Sequence, residues 1–212
     1  MLEELNKHER DSHIFFDEEP HKYYINGVCD NTSVTTLIHD YAERFDADKI
    51  INRMMSSPKW PNSEYYGMTV NEIKDKWKRN GETAAKDGTY MHKCIEDYWN
   101  DITIQNDSPE YSMFLKFVED HPGLVPYRTE WVVYHEEYKL CGSIDMIFKN
   151  DDGTISIYDW KRCKEIEKTP KFKKYMKKPL KHFPDTNYWH YSLQLNIYKY
   201  ILESKYNQTV KD

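Results

Sequence analysis

The chain has 212 residues and a formal net charge of −6, and its 39% hydrophobic content is supplemented by 18 Tyr, 8 Phe and 6 Trp, enough for one domain with its own core. No apolar run approaches the roughly 20 residues that cross a bilayer and no signal peptide opens the chain, which argues against a membrane-spanning or secreted protein. Cys29, Cys94, Cys141 and Cys163 are scattered with no C-x-x-C pair, the usage of reduced thiols in an intracellular compartment, cytoplasmic or nuclear, and not of a zinc ribbon.

In chain order, Ile14–Phe16 and Tyr23–Ile25 flank Glu18-Glu19-Pro20 and read as a hairpin, with Asn26-Gly27 as a second turn. Thr32 or Ser33 is placed to cap a short helix ending near His39, and Asp46–Met55 reads as a second helix. Trp60–Ser63 is loop. Thr69-x-x-Glu72 is a capping box opening a helix through Lys78, and Gly81 is expected to break it before a long helix from about 82 to 100. Ser108-Pro109 starts another helix, which stops near His121-Pro122-Gly123. Tyr127–Tyr134, Leu140–Lys149 and Thr154–Arg162 then form a meander turned by Asp151-Asp152-Gly153, and a helix over Tyr188–Ser204 closes the fold. This order predicts an α/β (α+β) chain, a central mixed β-sheet of three or four strands flanked by helices. One domain is expected over 1–212, with 1–80 as an N-terminal helical elaboration on a core spanning 81–204.

The chemistry-bearing residues concentrate in the meander. A turn centred near residue 152 puts Asp145 opposite Asp159 on the paired strand, where facing like charges destabilise a sheet. A divalent cation would offset that repulsion. Lys161 lies two residues beyond Asp159, on the same face by the strand's period of two. The plainer reading is an Asp–Lys pair on a solvated sheet face. Upstream, His92 and Glu96 are four apart on a helix and share a face; imidazole and carboxylate at that spacing can hold one ion, with manganese favoured over magnesium by the nitrogen ligand. Alone, they would be an ordinary exposed pair. Downstream, Gln194 and Tyr198 share a face of the last helix.

Together these residues resemble the PD-(D/E)XK nuclease superfamily, in its RecB-like exonuclease branch. That branch is similar in carrying a Gly…His…Glu helix, a Gly-x-x-Asp strand, an Asp-x-Lys strand and a Gln-x-x-x-Tyr helix in this order. The matching positions are Gly88, His92 and Glu96, then Gly142 and Asp145, then Asp159 and Lys161, then Gln194 and Tyr198. The likeness spans about 82–204, and Asn31–Thr36 also resembles the Ser-Val-Thr segment near the start of many such nucleases. It implies a restriction-endonuclease-like core and a metal-dependent nuclease acting on DNA, exonuclease-like, in repair, recombination or replication processing. One or two Mg2+ or Mn2+ ions would be held by His92, Glu96, Asp145, Asp159 and the Trp160 carbonyl. Lys161 would orient or deprotonate the attacking water, and hydrolysis would be direct. Gln194 and Tyr198 would position substrate backbone or brace the active face. Some members carry a four-cysteine iron–sulfur cluster with ligands bunched near the C-terminus; no such bunch exists here, so no cluster is expected. The chain departs from the pattern in ending eight residues after Ser204, where members continue into a further strand. A virus or mobile element is one source that such a chain fits.

Two rivals are an RNA endonuclease of the viral cap-snatching kind and a non-catalytic nucleic-acid-binding module on a nuclease fold. The Gly-x-x-Asp and Gln-x-x-x-Tyr elements count against the first, and the presence of every site residue counts against the second.

The charge distribution points to the same partner. Lys161–Lys181 holds ten Lys or Arg against Glu165 and Glu167 in an otherwise acidic chain. Lys168, Lys171, Lys173, Lys174, Lys177 and Lys178 are the expected phosphate contacts, with Phe172, Tyr175, Phe183, Tyr188 and Trp189 available to stack on unpaired bases. The plainer reading of the segment is a solvated lysine loop.

Overall fold

The computed structural model describes residues 1–170 and 174–212. They fall into two units, Met1–Glu43 with Met91–Asp212, and Arg44–Tyr90. In the first unit a short helix α1 (Leu2–Leu5) and a 3-10 turn (Glu9–His13) lead into a hairpin of β1 (Ile14–Asp17) and β2 (Lys22–Ile25). Residues 1–43, read from the sequence as part of an elaboration, thus belong with the core. The buried Arg128 guanidinium donates to Asp11 at 2.8 Å and the Trp131 indole N–H to its other oxygen at 2.9 Å, which fixes the N-terminal segment to the sheet.

The main sheet is mixed. β4 (Val125–His135), β5 (Leu140–Lys149) and β6 (Ile155–Tyr158) form the antiparallel meander, and β3 (Thr32–Ser33) joins β5 in parallel. Gly153, at φ +83°, makes the β5–β6 turn. β5 is paired along one edge by β4. Its other edge is shared: β3 takes Leu140 and Cys141, β6 takes Met146–Lys149, and Gly142–Asp145 between them have no strand partner on that edge among the described residues. That gap is where the candidate site forms. After β3, Ser33 caps α2 (Val34–Tyr41), its Oγ accepting the Thr36 N–H.

β6 is shorter than the sequence suggests. It stops at Tyr158, so Asp159, Trp160 and Lys161 lie past the ladder; the Trp160 N–H goes to a carboxylate instead of a neighbouring strand. Beyond α6 (Asn187–Lys205), residues 209–212 run beside β6 in parallel, with the Ile155 N–H on the Thr209 carbonyl and the Lys211 N–H on the Ile155 carbonyl. A strand-like segment therefore follows the last helix, where the sequence reading expected the chain to stop short of one.

One core cluster joins α2, α6 and the sheet through Val34, Ile38, Trp131, Ile144, Ile201 and Tyr206. A second joins the end of α4 to α5 (Pro109–Asp120) through Cys94, Ile95 and Phe114, with Trp160 packed against it.

The 44–90 unit contains α3 (Ala47–Met55), a 3-10 turn at Trp60–Asn62 and the first turns of α4 (Val70–Trp99). Ile51 and Ile73 are its fully buried side chains, and Trp77 meets Phe45 and Tyr65. The capping box holds: the Thr69 N–H donates to Glu72 at 2.7 Å. Gly81 does not break the helix. A lone glycine costs a helix only about 1 kcal/mol relative to alanine, and the space where its Cβ would stand is open. Among the described residues there are six α-helices, and none is long and apolar enough to cross a membrane.

Candidate metal centre

Three carboxylates stand in a row across β4, β5 and the residue just past the end of β6. Thr129 faces Met146 and Trp131 faces Ile144, which brackets Glu130 opposite Asp145; Met146 faces Tyr158, which projects Asp145 opposite Asp159. The row crosses β5 at the end of its unpaired stretch. Asp145 and Asp159 have side chains only 8% and 7% exposed, so water screens their repulsion poorly. Glu130 reaches the row from a left-handed backbone, φ +43°, in the middle of a strand.

His92 comes in from the last turns of α4. Its Nδ1 lies 3.4 Å from Glu130 Oε1 and 3.7 Å from Asp145 Oδ2, and its Nε2 lies 3.0 Å from the Trp160 carbonyl. Nε2 can donate its proton to that carbonyl, so that once Nδ1 gives up its own proton its lone pair faces the two carboxylates. This is how a partner on one ring nitrogen selects the ligating one. Ser143 Oγ donates to Glu130 Oε2 at 2.9 Å, leaving Oε1 toward His92. Asp145 Oδ2 accepts the Trp160 N–H at 2.7 Å. Lys161 Nζ donates to Asp159 at 2.8 Å and stands 3.9 Å from Asp145. Ligand atoms of His92, Glu130 and Asp145 all lie within 4.8 Å of one another.

The electrostatics follow from burial and crowding. Burial, then the Asp159 charge, pushes the Asp145 carboxyl up to about 7. The hydrogen bond to Glu130 raises the His92 imidazole against the opposing effect of its burial. Burial works to lower the Lys161 ammonium, but Asp145 and Asp159 outweigh it and the net shift is upward. Three acids against one ammonium and one imidazole leave room for a cation, and the mixed nitrogen–oxygen donor set suits a divalent one.

The remaining motif residues act beneath this row. A Cβ at Gly142 would lie 2.5 Å from the Tyr198 hydroxyl and 2.9 Å from its ring, so only glycine lets that tyrosine close against β5. Tyr198 is 3% exposed and hydrogen-bonds Gln194. That burial leaves Tyr198 the bracing role and removes it from the expected substrate contacts. The Tyr23 side chain comes close to Ser143 and Glu130 beside the gap in the β5 edge, and burial pushes its phenol well above the usual tyrosine value.

Several expected residues are placed elsewhere. Glu96 pairs with Lys93 at 3.1 Å and is outside the group of three; Glu130 supplies the carboxylate instead. The Trp160 carbonyl faces His92 Nε2 and serves to orient the ring. Gly88 belongs to the other unit and has open space around it. In the basic segment, Lys174 is bound to the buried Asp185 at 2.7 Å, Lys177 Nζ donates to the Asp40 carbonyl at 3.0 Å, and Lys168 lies 4.8 Å over the Tyr188 ring. Those three lysines have protein partners. Lys178 is exposed, and Lys171 and Lys173 lie outside the described residues. Glu130 is the residue that sequence reasoning missed; its one signal was an acid set directly before the apolar run Trp131-Val132-Val133 of the same strand.

Comparison with protein-family models, curated proteins and solved structures gave no match, so function has to be argued from these side chains.

Proposed function

We propose that the protein is a metal-dependent nuclease that hydrolyses phosphodiester bonds, with DNA favoured over RNA. The observation that carries this reading is the row Glu130–Asp145–Asp159 with His92 at one end and Lys161 at the other. His92 Nδ1, Glu130 and Asp145 are the groups that would hold a divalent cation, manganese in preference to magnesium. When bound, such an ion lowers the pKa of a coordinated water and offsets charge on the phosphate. The protein's own residues do the rest. The Trp160 carbonyl fixes the His92 ring, Ser143 fixes Glu130, and the Trp160 N–H fixes Asp145. Asp159 holds the Lys161 ammonium beside Asp145, from where it can donate to a phosphate oxygen and stabilise the charge that builds there.

The test uses end-labelled linear and closed-circular DNA, single- and double-stranded, and RNA of the same sequence, with manganese and then magnesium. Cleavage is expected with manganese and should fall at least about 100-fold in Asp145→Ala and in Lys161→Ala, the scale seen when one charge-stabilising group is removed from an active site. Undiminished cleavage by Asp145→Ala would end the assignment.

A further inference from the structure

We propose that the β1–β2 hairpin is a nucleobase-stacking platform, on which Phe16 and His21 receive an unpaired base of a strand whose backbone passes the carboxylate row. This deepens the nuclease reading above and rests on it for the class of substrate.

The hairpin's register pairs Ile14 with Ile25, Phe15 with Tyr24, Phe16 with Tyr23 and Asp17 with Lys22. Alternation then puts Ile14, Ile25, Phe16 and Tyr23 on one face. That face changes character along its length. Ile25 is buried in the main core with Ile14 packed beside it; Tyr23 reaches the gap in β5; Phe16 is half-buried; and His21 is exposed. The rings are continuous. Phe16 and Tyr23 have centroids 4.5 Å apart at 33°, and His21 meets Phe16 edge-on at 4.9 Å and 84°. An aromatic path therefore starts at Ser143, whose hydroxyl holds Glu130, and runs out of the protein at the hairpin tip.

The charges say which part of a nucleic acid fits. Asp17, Glu18 and Glu19 surround the tip, and Asp17 already faces Lys22. Phosphates are repelled there, and a cation bound beside Lys161 would draw them, so a strand that enters the site turns its bases to the hairpin and its backbone to the metal group. Aromatic faces hold bases of any identity. A duplex keeps its bases stacked on each other, so the platform selects single-stranded or frayed ends.

The experiment measures binding with calcium in place of manganese, with strand integrity checked on a denaturing gel, so that a divalent ion is present and cleavage does not enter. Fluorescently labelled oligo-dT and an abasic strand of equal length are titrated with the full chain, His21→Ala and Phe16→Leu. The wild type should bind the base-bearing strand about 5- to 150-fold more tightly, the range for one stacked base. Both variants should lose most of that preference with abasic affinity unchanged, and a 2-aminopurine strand quenched by the wild type should stay bright. Equal affinity of the wild type for the two strands, preference for duplex over single strand, or full discrimination by the exposed-site variant His21→Ala would each overturn the proposal. The outcomes separate the two readings. A protein that stacks bases but never cleaves keeps the platform and loses the nuclease; one that cleaves but ignores the bases does the reverse.

Discussion

Replacing Asp145 by Asn is expected to make the metal-free protein more stable at pH 8. The Asp145 carboxyl is raised from 3.8 to about 7, first by burial and then by Asp159. The folded state therefore holds this proton more tightly than the unfolded chain does. Its contribution is fully present below about pH 4, shrinks as the unfolded chain ionises, and is lost once pH passes about 7. At 1.36 kcal/mol per pKa unit the change amounts to roughly 4 kcal/mol as an upper bound. His92, raised as well, contributes in the same direction. Asn keeps an oxygen to accept the Trp160 N–H but leaves Lys161 and His92 without a charge they now face, so the net gain is smaller, about 1–2 kcal/mol. For a chain of this length that is about 2–8 °C in melting temperature. Thermal unfolding by circular dichroism at pH 5 and pH 8, in chelator and in manganese, measures it. The wild type should lose stability between the two pH values in chelator and regain it with manganese; Asp145→Asn should lose less, the remainder being the His92 share, and regain less with manganese. A variant less stable than wild type at pH 8 in chelator, or stabilised equally by manganese, would refute the charge argument.

Gly142→Ala should destabilise the protein by about 1–3 kcal/mol, the cost of overpacking a filled core, because the new methyl meets the Tyr198 hydroxyl and ring. Adding Tyr198→Phe should recover part of the loss, and a double-mutant cycle in urea with no coupling between the two sites would contradict the contact. Lys174→Ala should act on stability, by about 1–3 kcal/mol, since it strips the ammonium from Asp185, whose side chain is 2% exposed. If instead urea unfolding is unchanged and the salt dependence of nucleic-acid binding flattens, Lys174 is a phosphate contact after all.

How far the sequence could be read depended on the range of the interaction. Asp145, Asp159 and Lys161 were legible because a hairpin turn and a period of two fix their relation within a few residues. His92 was legible as half of an i, i+4 pair, but its true carboxylate partner lies 38 residues downstream on β4, and helical spacing pointed to Glu96. Glu130 was hidden because its direction depends on one backbone angle that leaves no trace in the alternation of side chains. The two-residue strand β3 was hidden too: Thr32 and Ser33 read as a helix cap, and their pairing with Leu140 and Cys141 spans over a hundred residues. The lysine segment shows composition misleading in another way. A run of like charge says nothing about which members find a buried acid, as Lys174 does with Asp185.

The left-handed backbone at Glu130 sets two kinds of fitness against each other. That conformation costs an L-residue without a short polar side chain roughly 1–2 kcal/mol, and glycine or asparagine would adopt it with less strain. Either replacement withdraws the carboxylate that faces His92 and Asp145. Laboratory evolution for heat resistance alone would therefore drift position 130 toward Gly or Asn and carry the site away with it, while a screen for cleavage would hold glutamate there against the grain of the strand.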